Sequence, residues 1–112
     1  MKFLMMTALL LLPAAVQAAE KRLECSSWPI NIAIGQLKNA GIADPSGIDE
    51  SKTRAVLLSS EKIGKDLYQQ VYEITFQETS GKIVQVVTNS RASREECSMS
   101  DVTVYVVSQK LN

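Results

Sequence analysis

The stretch DLYQQVYEITFQETSGKIVQVVTN, residues 66–89, decides the fold. Residues 72–77 alternate apolar and polar side chains, and residues 66–78 as a whole are rich in aromatic and β-branched types, which is the pattern of a half-buried β-strand. Thr79, Ser80 and Gly81 follow as a turn signal, and residues 82–89 return to a β-branched alternation. The stretch therefore predicts two antiparallel strands joined by a hairpin.

Two further strands and one helix are predicted around this hairpin. Residues 53–60 and 101–109 have the composition of strands, and a polar loop is predicted at residues 90–100. Near the start of the chain, apolar side chains recur at helical spacing, at Ile30, Ala33, Ile34 and Leu37. We therefore expect an α+β fold in which an N-terminal amphipathic helix packs on a four-stranded antiparallel meander sheet with one disulfide.

The helix has a predicted end and one unusual residue. Gly41 followed by Ile42 is typical of a left-handed C-terminal stop with its hydrophobic contact. Gly35 lies inside the helix, where glycine costs about 1 kcal/mol relative to alanine. Two explanations remain open for Gly35: close approach of a ligand, or tight packing of the helix on the sheet.

Strand alternation also assigns the two faces of the sheet. The side chains expected to face the helix include Tyr72, Ile74 and Phe76. The apolar side chains expected on the opposite face include Val87, Tyr105 and Val107. This second stripe is either ordinary surface hydrophobicity or a face covered by a partner protein or a second copy. A bulge near Gln69 and Gln70 would shift part of the pattern.

Residues 1–18 have the parts of a secretory signal peptide: Lys2, an apolar run, and a small-x-small site ending at Ala18. The apolar run is too short to span a bilayer, so we expect cleavage after Ala18 and no membrane anchor. Residues 19–112 then form one small domain, located in the periplasm of a Gram-negative bacterium or secreted. Its 11 basic and 12 acidic side chains leave it nearly neutral, which argues against nucleic-acid binding.

The two cysteines, Cys25 and Cys97, predict a disulfide. Two isolated cysteines offer too few ligands for a metal, and no C-x-x-C spacing is present. A lipid anchor at Cys25 is disfavoured because the preceding residues are large or charged. An even cysteine count in an exported domain of this size is typical of a structural disulfide.

No catalytic constellation is found in the sequence. Histidine is absent, which removes the commonest general base and a common zinc ligand. The adjacent carboxylates Asp49-Glu50 and Glu95-Glu96 lie in polar segments where no shifted pKa is expected. No calcium-loop, phosphate-loop or nucleophile motif occurs. We expect a protein that is not an enzyme and that needs no cofactor and no metal.

The long polar loop is the main candidate for binding. Arg91, Arg94, Glu95 and Glu96 surround Cys97 in it, so a disulfide could hold these charges rigidly as a fork for a partner carboxylate. The alternative is a solvated connector whose charges maintain solubility. Trp28, close to the first cysteine, is expected to pack over the disulfide or at the helix start; if exposed, it would be a binding hot spot.

The layout of one helix, four antiparallel strands and a long-range disulfide resembles, in architecture, small exported proteins such as the cystatin-like inhibitors and the colicin M immunity protein. No motif matches residue by residue, so no site residue carries over. This resemblance implies a non-enzymatic protein-binding module, with an inhibitor or toxin-neutralising role. The alternative is an envelope structural or assembly protein that acts as a homo-oligomer.

Overall fold

A computed structural model describes residues 22–107. Within that range the chain forms one helix followed by four strands that pair in the order β1-β2-β3-β4, each antiparallel to its neighbour. The elements are α1 (Ser27–Asn39), two 3₁₀ turns (Pro45–Gly47 and Glu50–Lys52), β1 (Arg54–Gly64), β2 (Leu67–Gln77), β3 (Ile83–Ala92) and β4 (Thr103–Val107). This confirms the predicted α+β class and the antiparallel meander.

The signal peptide and its cleavage site lie outside the described residues. The helix precedes the four strands, as expected, but its position relative to the N-terminus of a mature chain depends on that cleavage. The 3₁₀ turns and the hairpins keep successive elements adjacent, which is the usual result of short connections.

Local sequence accounts for both ends of α1. Ser26 is at the N-cap position, although its side chain makes no capping hydrogen bond, and Pro29 fits the first turn. At the other end Gly41 has φ +73°, the Gly41 N–H donates to Lys38 O, and the Ile42 N–H donates to Leu37 O. These two bonds form a Schellman motif, which confirms the predicted left-handed stop.

The core lies between α1 and one face of the sheet. Tyr72, Ile74 and Phe76 on β2 are fully buried, which confirms the face predicted from their alternation. The other buried members of the cluster are Ala33, Leu37, Ile48, Val84 and Val86. Because one helix covers one face of a four-stranded sheet, the two edge strands, β1 and β4, are more exposed to solvent than β2 and β3.

Two strands continue beyond their predicted ends. β1 continues to Gly64 rather than residue 60, and a tight turn at residues 65–66 leads directly into β2. β3 continues to Ala92 rather than residue 89, so Arg91 is a strand residue and not a loop residue. Ser90 and Ala92 are buried against the core side, so their small side chains, which suggested a loop, in fact suit a crowded strand end.

The register shifts lie on β1 and not at Gln69 and Gln70, where a bulge would have altered the predicted faces. The register of β1 against β2 shifts between Leu57 and Ser59, and again between Lys62 and Gly64. β2 itself keeps a regular alternation of buried and half-buried residues through Gln69 and Gln70. The extra residue is therefore accommodated by the strand at the edge of the sheet, where pairing on only one side leaves the backbone free to bend.

A buried polar network fastens the segment before α1 to the sheet. Gln70 is fully buried, and its Nε2 donates to Leu23 O at 2.9 Å and to Ser60 Oγ at 3.1 Å. The Cys25 N–H donates to the Tyr72 hydroxyl at 2.8 Å. Burial raises the pKa of Tyr72, and the bond from Cys25 partly opposes that shift. The segment that carries the first cysteine is thus held by hydrogen bonds as well as by the disulfide.

Candidate functional site

The loop between β3 and β4, residues 93–102, is built around the disulfide. Cys25 and Cys97 are bonded, which confirms the predicted pairing and joins positions 72 residues apart. Near the start of the loop, the Ser93 N–H donates to Glu96 O at 2.8 Å and the Glu96 N–H donates to Ser93 Oγ at 3.0 Å. This reciprocal pair closes a tight turn immediately before the cysteine.

Three more contacts anchor the loop to the rest of the fold. The indole Nε1 of Trp28 donates to Ser100 O at 3.1 Å, which connects the first turn of α1 to the end of the loop. The Arg91 N–H donates to Ser100 Oγ at 2.8 Å, and the Arg94 N–H donates to Asp66 Oδ1 at 3.1 Å. Trp28 is half-buried, so it is not the exposed side chain of the hot-spot interpretation, and its bond to Ser100 was not among the expectations.

Arg91 and Arg94, the two arginines of the predicted loop site, contact residues on opposite faces of the sheet. Arg91 lies on the face of the sheet away from the helix, where its Nε donates to Gln69 Oε1 at 3.0 Å. The Arg94 guanidinium lies 5.5 Å from the centre of the Tyr68 ring, and strand alternation places Tyr68 on the helix-bearing face. Each cation thus has a contact within the chain, but both side chains are exposed and each guanidinium keeps further N–H donors.

The exposed part of the loop is acidic instead. Glu95 and Glu96 are exposed, and among the described residues neither carboxylate has a hydrogen-bond or ion-pair partner. Met99 follows with 46% of its surface exposed. The loop therefore presents two carboxylates and one flexible apolar side chain. Its backbone is held by the disulfide and by the hydrogen bonds at Ser93, Arg94 and Ser100. We call residues 95–99 the acidic tip.

The second predicted site is the sheet face away from the helix, here called the outer face. The register aligns Val56, Glu73, Val87 and Tyr105 in one row across all four strands. Tyr105 is 60% exposed and Val107 is 40% exposed, whereas Val87 is half-buried. The structure thus brings Val87 and Tyr105 together as cross-strand neighbours, and Glu73 interrupts the apolar row.

Two carboxylates outside the loop, Asp44 and Asp49, cap the 3₁₀ turns. Asp49 caps the second 3₁₀ turn, where the Ser51 hydroxyl and N–H donate to its Oδ1 at 2.6 Å and 3.1 Å. The Ser51 hydroxyl is the main reason that the pKa of Asp49 lies below its ordinary value, and the Ser46 N–H does the same for Asp44. A carboxylate held in its ionised form in a turn is unsuited to donate a proton.

An open depression of about 370 Å³ lies beside the end of α1. Lys82 is one of its lining residues. The Lys82 Nζ donates to Ile42 O at 2.9 Å and lies 3.7 Å from Glu78 Oε2. Among the described residues no group of His, Cys, Asp and Glu could hold a metal ion. That part of the chain also has no helix long and apolar enough to cross a membrane.

Sequence reasoning missed two features of these sites. Alternation from Tyr72 places Gln70 on the helix-bearing face, but only the structure shows that its side chain holds the N-terminal segment. Met99 lies in a polar loop with no periodicity, so no pattern marked it. Comparison with known protein families, curated proteins and solved structures gave no match.

Proposed function

We propose that this protein is a small exported, non-enzymatic protein-binding module, with an inhibitor or toxin-neutralising role, that binds through the acidic tip. Its location in this proposal is the periplasm or the extracellular space, and a structural disulfide is in keeping with a compartment outside the cytoplasm. It needs no cofactor and no metal.

The observation that supports the proposal is the way the loop is held. A disulfide, a reciprocal Ser93–Glu96 pair, the Trp28 indole and the side chain of Asp66 fix its backbone. A loop that is already ordered loses little conformational entropy on binding, so more of the contact energy contributes to affinity. Loops that carry function on a rigid scaffold have this arrangement.

The carboxylates of the acidic tip indicate which kind of surface the partner has. The side chains of Glu95 and Glu96 are exposed and have no partner among the described residues, so the proposed contact uses them, whereas Arg91 and Arg94 each have a contact within the chain. Carboxylates attract a surface rich in lysine or arginine and accelerate association at low salt. The exposed Met99 adds an adaptable apolar contact beside them. The proposed partner is therefore a protein with a basic surface next to a small apolar pocket.

The test is capture of a partner by the oxidised protein and by two matched charge-reversal variants. Glu95→Lys with Glu96→Lys reverses the acidic tip, and Glu50→Lys with Glu61→Lys reverses two exposed carboxylates elsewhere. We expect a protein captured from an envelope extract by the wild type and the control, and its Kd, measured by calorimetry, to rise at least tenfold with the tip variant. Equal binding by both variants would exclude the acidic tip.

The alternative is an envelope structural or assembly protein that acts as a homo-oligomer. It is favoured by the exposed apolar side chains of the outer face and of β4. Large exposed apolar patches often mark interaction surfaces. This alternative uses a different surface from the acidic tip, and its decisive measurement is the oligomeric state.

A further inference from the structure

The two edges of the sheet are protected to very different degrees. β1, at one edge, has two register shifts and carries the charges of Arg54, Glu61 and Lys62. Bulges and charges are the devices by which natural sheets prevent another strand from pairing with an edge. β4, at the other edge, pairs with β3 in a regular register and has no bulge.

The sequence of β4 has none of these protections. It reads Thr-Val-Tyr-Val-Val, without a charge, a proline or a glycine. Its side chains are exposed on both faces of the sheet, with Val106 at 42% on the helix-bearing side and Tyr105 and Val107 on the outer face. The described residues supply no neighbour for its free backbone groups. A regular strand of β-branched and aromatic residues with an open edge is a template for strand addition.

We propose that β4 pairs with β4 of a second copy of this chain, in antiparallel orientation, to form a continuous eight-stranded sheet. A twofold axis through Tyr105 places the two Tyr105 side chains opposite each other. The other opposed pairs are then Val104 with Val106 and Thr103 with Val107. No charged side chain opposes another within the strand, and aromatic and β-branched cross-strand pairs are among the favourable ones.

Pairing at this register also covers the exposed side chains. Val104 of the second copy covers Val106 on the helix-bearing face, where α1 does not reach. On the outer face Tyr105 meets its equivalent and extends the row formed with Val87. Since the axis is perpendicular to the sheet, both helices lie on the same side of the extended sheet, and the exposure of Val106 shows that α1 does not cover the strand that makes the contact.

The protected edge limits the assembly to two copies. A twofold contact uses the same strand on both chains, so it leaves only the bulged and charged β1 edges exposed. A filament would need β4 to pair with β1, which the register shifts of β1 disfavour. This inference rests on the homo-oligomer alternative. If the charge reversals at the acidic tip had no effect on partner binding, the proposal for β4 would be unaffected, because the tip is not part of β4.

The test compares two lysine substitutions at exposed valines on opposite faces of the sheet. Val106→Lys places a charge in the proposed strand pair on the helix-bearing face, whereas Val56→Lys places one on the outer face of β1. By sedimentation velocity of the oxidised protein we expect a dimer for the wild type and for Val56→Lys, and a monomer for Val106→Lys. Far-ultraviolet circular dichroism checks that each variant is folded.

A second variant tests the register directly. Directly opposed residues in antiparallel strands have Cα atoms about 4.5–5.5 Å apart, within the range that a disulfide spans. Tyr105→Cys should therefore form a covalent dimer on mild oxidation, whereas Val56→Cys should not. A wild type that stays monomeric at high concentration overturns the proposal, even if a strand of a different protein is then found paired with β4. A dimer lost with Val56→Lys but kept with Val106→Lys overturns it in favour of outer-face stacking.

Discussion

At the scale of single residues, the most informative side chain is Gln70. It is fully buried in a protein whose core is otherwise largely apolar, yet its amide nitrogen donates to both Leu23 O and Ser60 Oγ. A buried polar group that lacks a hydrogen bond costs free energy, and removing one partner leaves the other unsatisfied. Gln70 therefore determines where the segment preceding α1 lies.

We expect Gln70→Glu to lower the free energy of unfolding at neutral pH by about 1–3 kcal/mol, because the isosteric carboxylate cannot donate to either acceptor. Burial raises the pKa of the introduced carboxyl, so protonation at acid pH restores one donor. The deficit relative to the wild type should therefore shrink as the pH falls.

Urea unfolding at several pH values measures this effect. Gln77→Glu, at a half-buried β2 position on the other face, is the matched control and should change stability by only a few tenths of that amount. Equal losses for the two variants would show that the Gln70 network does not stabilise the fold.

At the scale of elements, α1 shows how much a sequence pattern reveals. The apolar spacing predicted the buried positions Ala33 and Leu37, and the glycine predicted the Schellman motif at its end. Gly35 was expected to permit either close packing or ligand approach, but it is exposed, and a Cβ atom built there meets nothing within 4 Å. Neither explanation is supported, so this glycine only weakens the helix.

Gly35→Ala should accordingly raise the free energy of unfolding by about 0.5–1 kcal/mol, since alanine loses less backbone freedom on folding. Gly41→Ala is the matched control at a positive φ, where a Cβ atom costs about 1–2 kcal/mol, and it should destabilise the protein. Thermal melting of the two variants checks both signs. A destabilised Gly35→Ala variant would mean that the position is constrained by something in contact with it.

The strands mark the limits of prediction from sequence. Alternation located the central hairpin because burial on one face imposes a period of two. The bulge at Leu58 was not predictable in position, because an extra residue in an edge strand carries no distinctive side chain. Arg94 could not be paired with Tyr68 either, since that contact depends on how a loop and the start of β2 meet in three dimensions.

At the scale of the whole molecule, one covalent link spans most of the described chain. Cys25 precedes the helix and Cys97 follows the third strand, so the disulfide closes a loop that contains nearly all of the core. Because the cysteine count and the leader favoured it, this was the most predictable long-range contact. The sequence showed that Cys97 lies within the acidic tip, but it did not show the other contacts that hold the loop.

Replacing both cysteines, Cys25→Ala with Cys97→Ala, should lower the free energy of unfolding by about 4 kcal/mol, the chain-entropy value for a loop of this length. That is a large share of the net stability of a small domain. Equilibrium urea unfolding, compared with the oxidised wild type, measures the difference. A loss below about 1 kcal/mol would show that the hydrogen bonds of Gln70 and Tyr72 alone hold the segment before α1 in place.

The contact between Trp28 and Ser100 has a practical consequence. This tryptophan is the only one in the sequence, and its indole reaches the end of the loop that carries the acidic tip. Indole emission responds to the polarity of its surroundings and to neighbouring groups, so its wavelength and intensity report on that loop without an added label. The protein thus contains its own optical reporter, placed where both partner binding and reduction of the disulfide would change the signal.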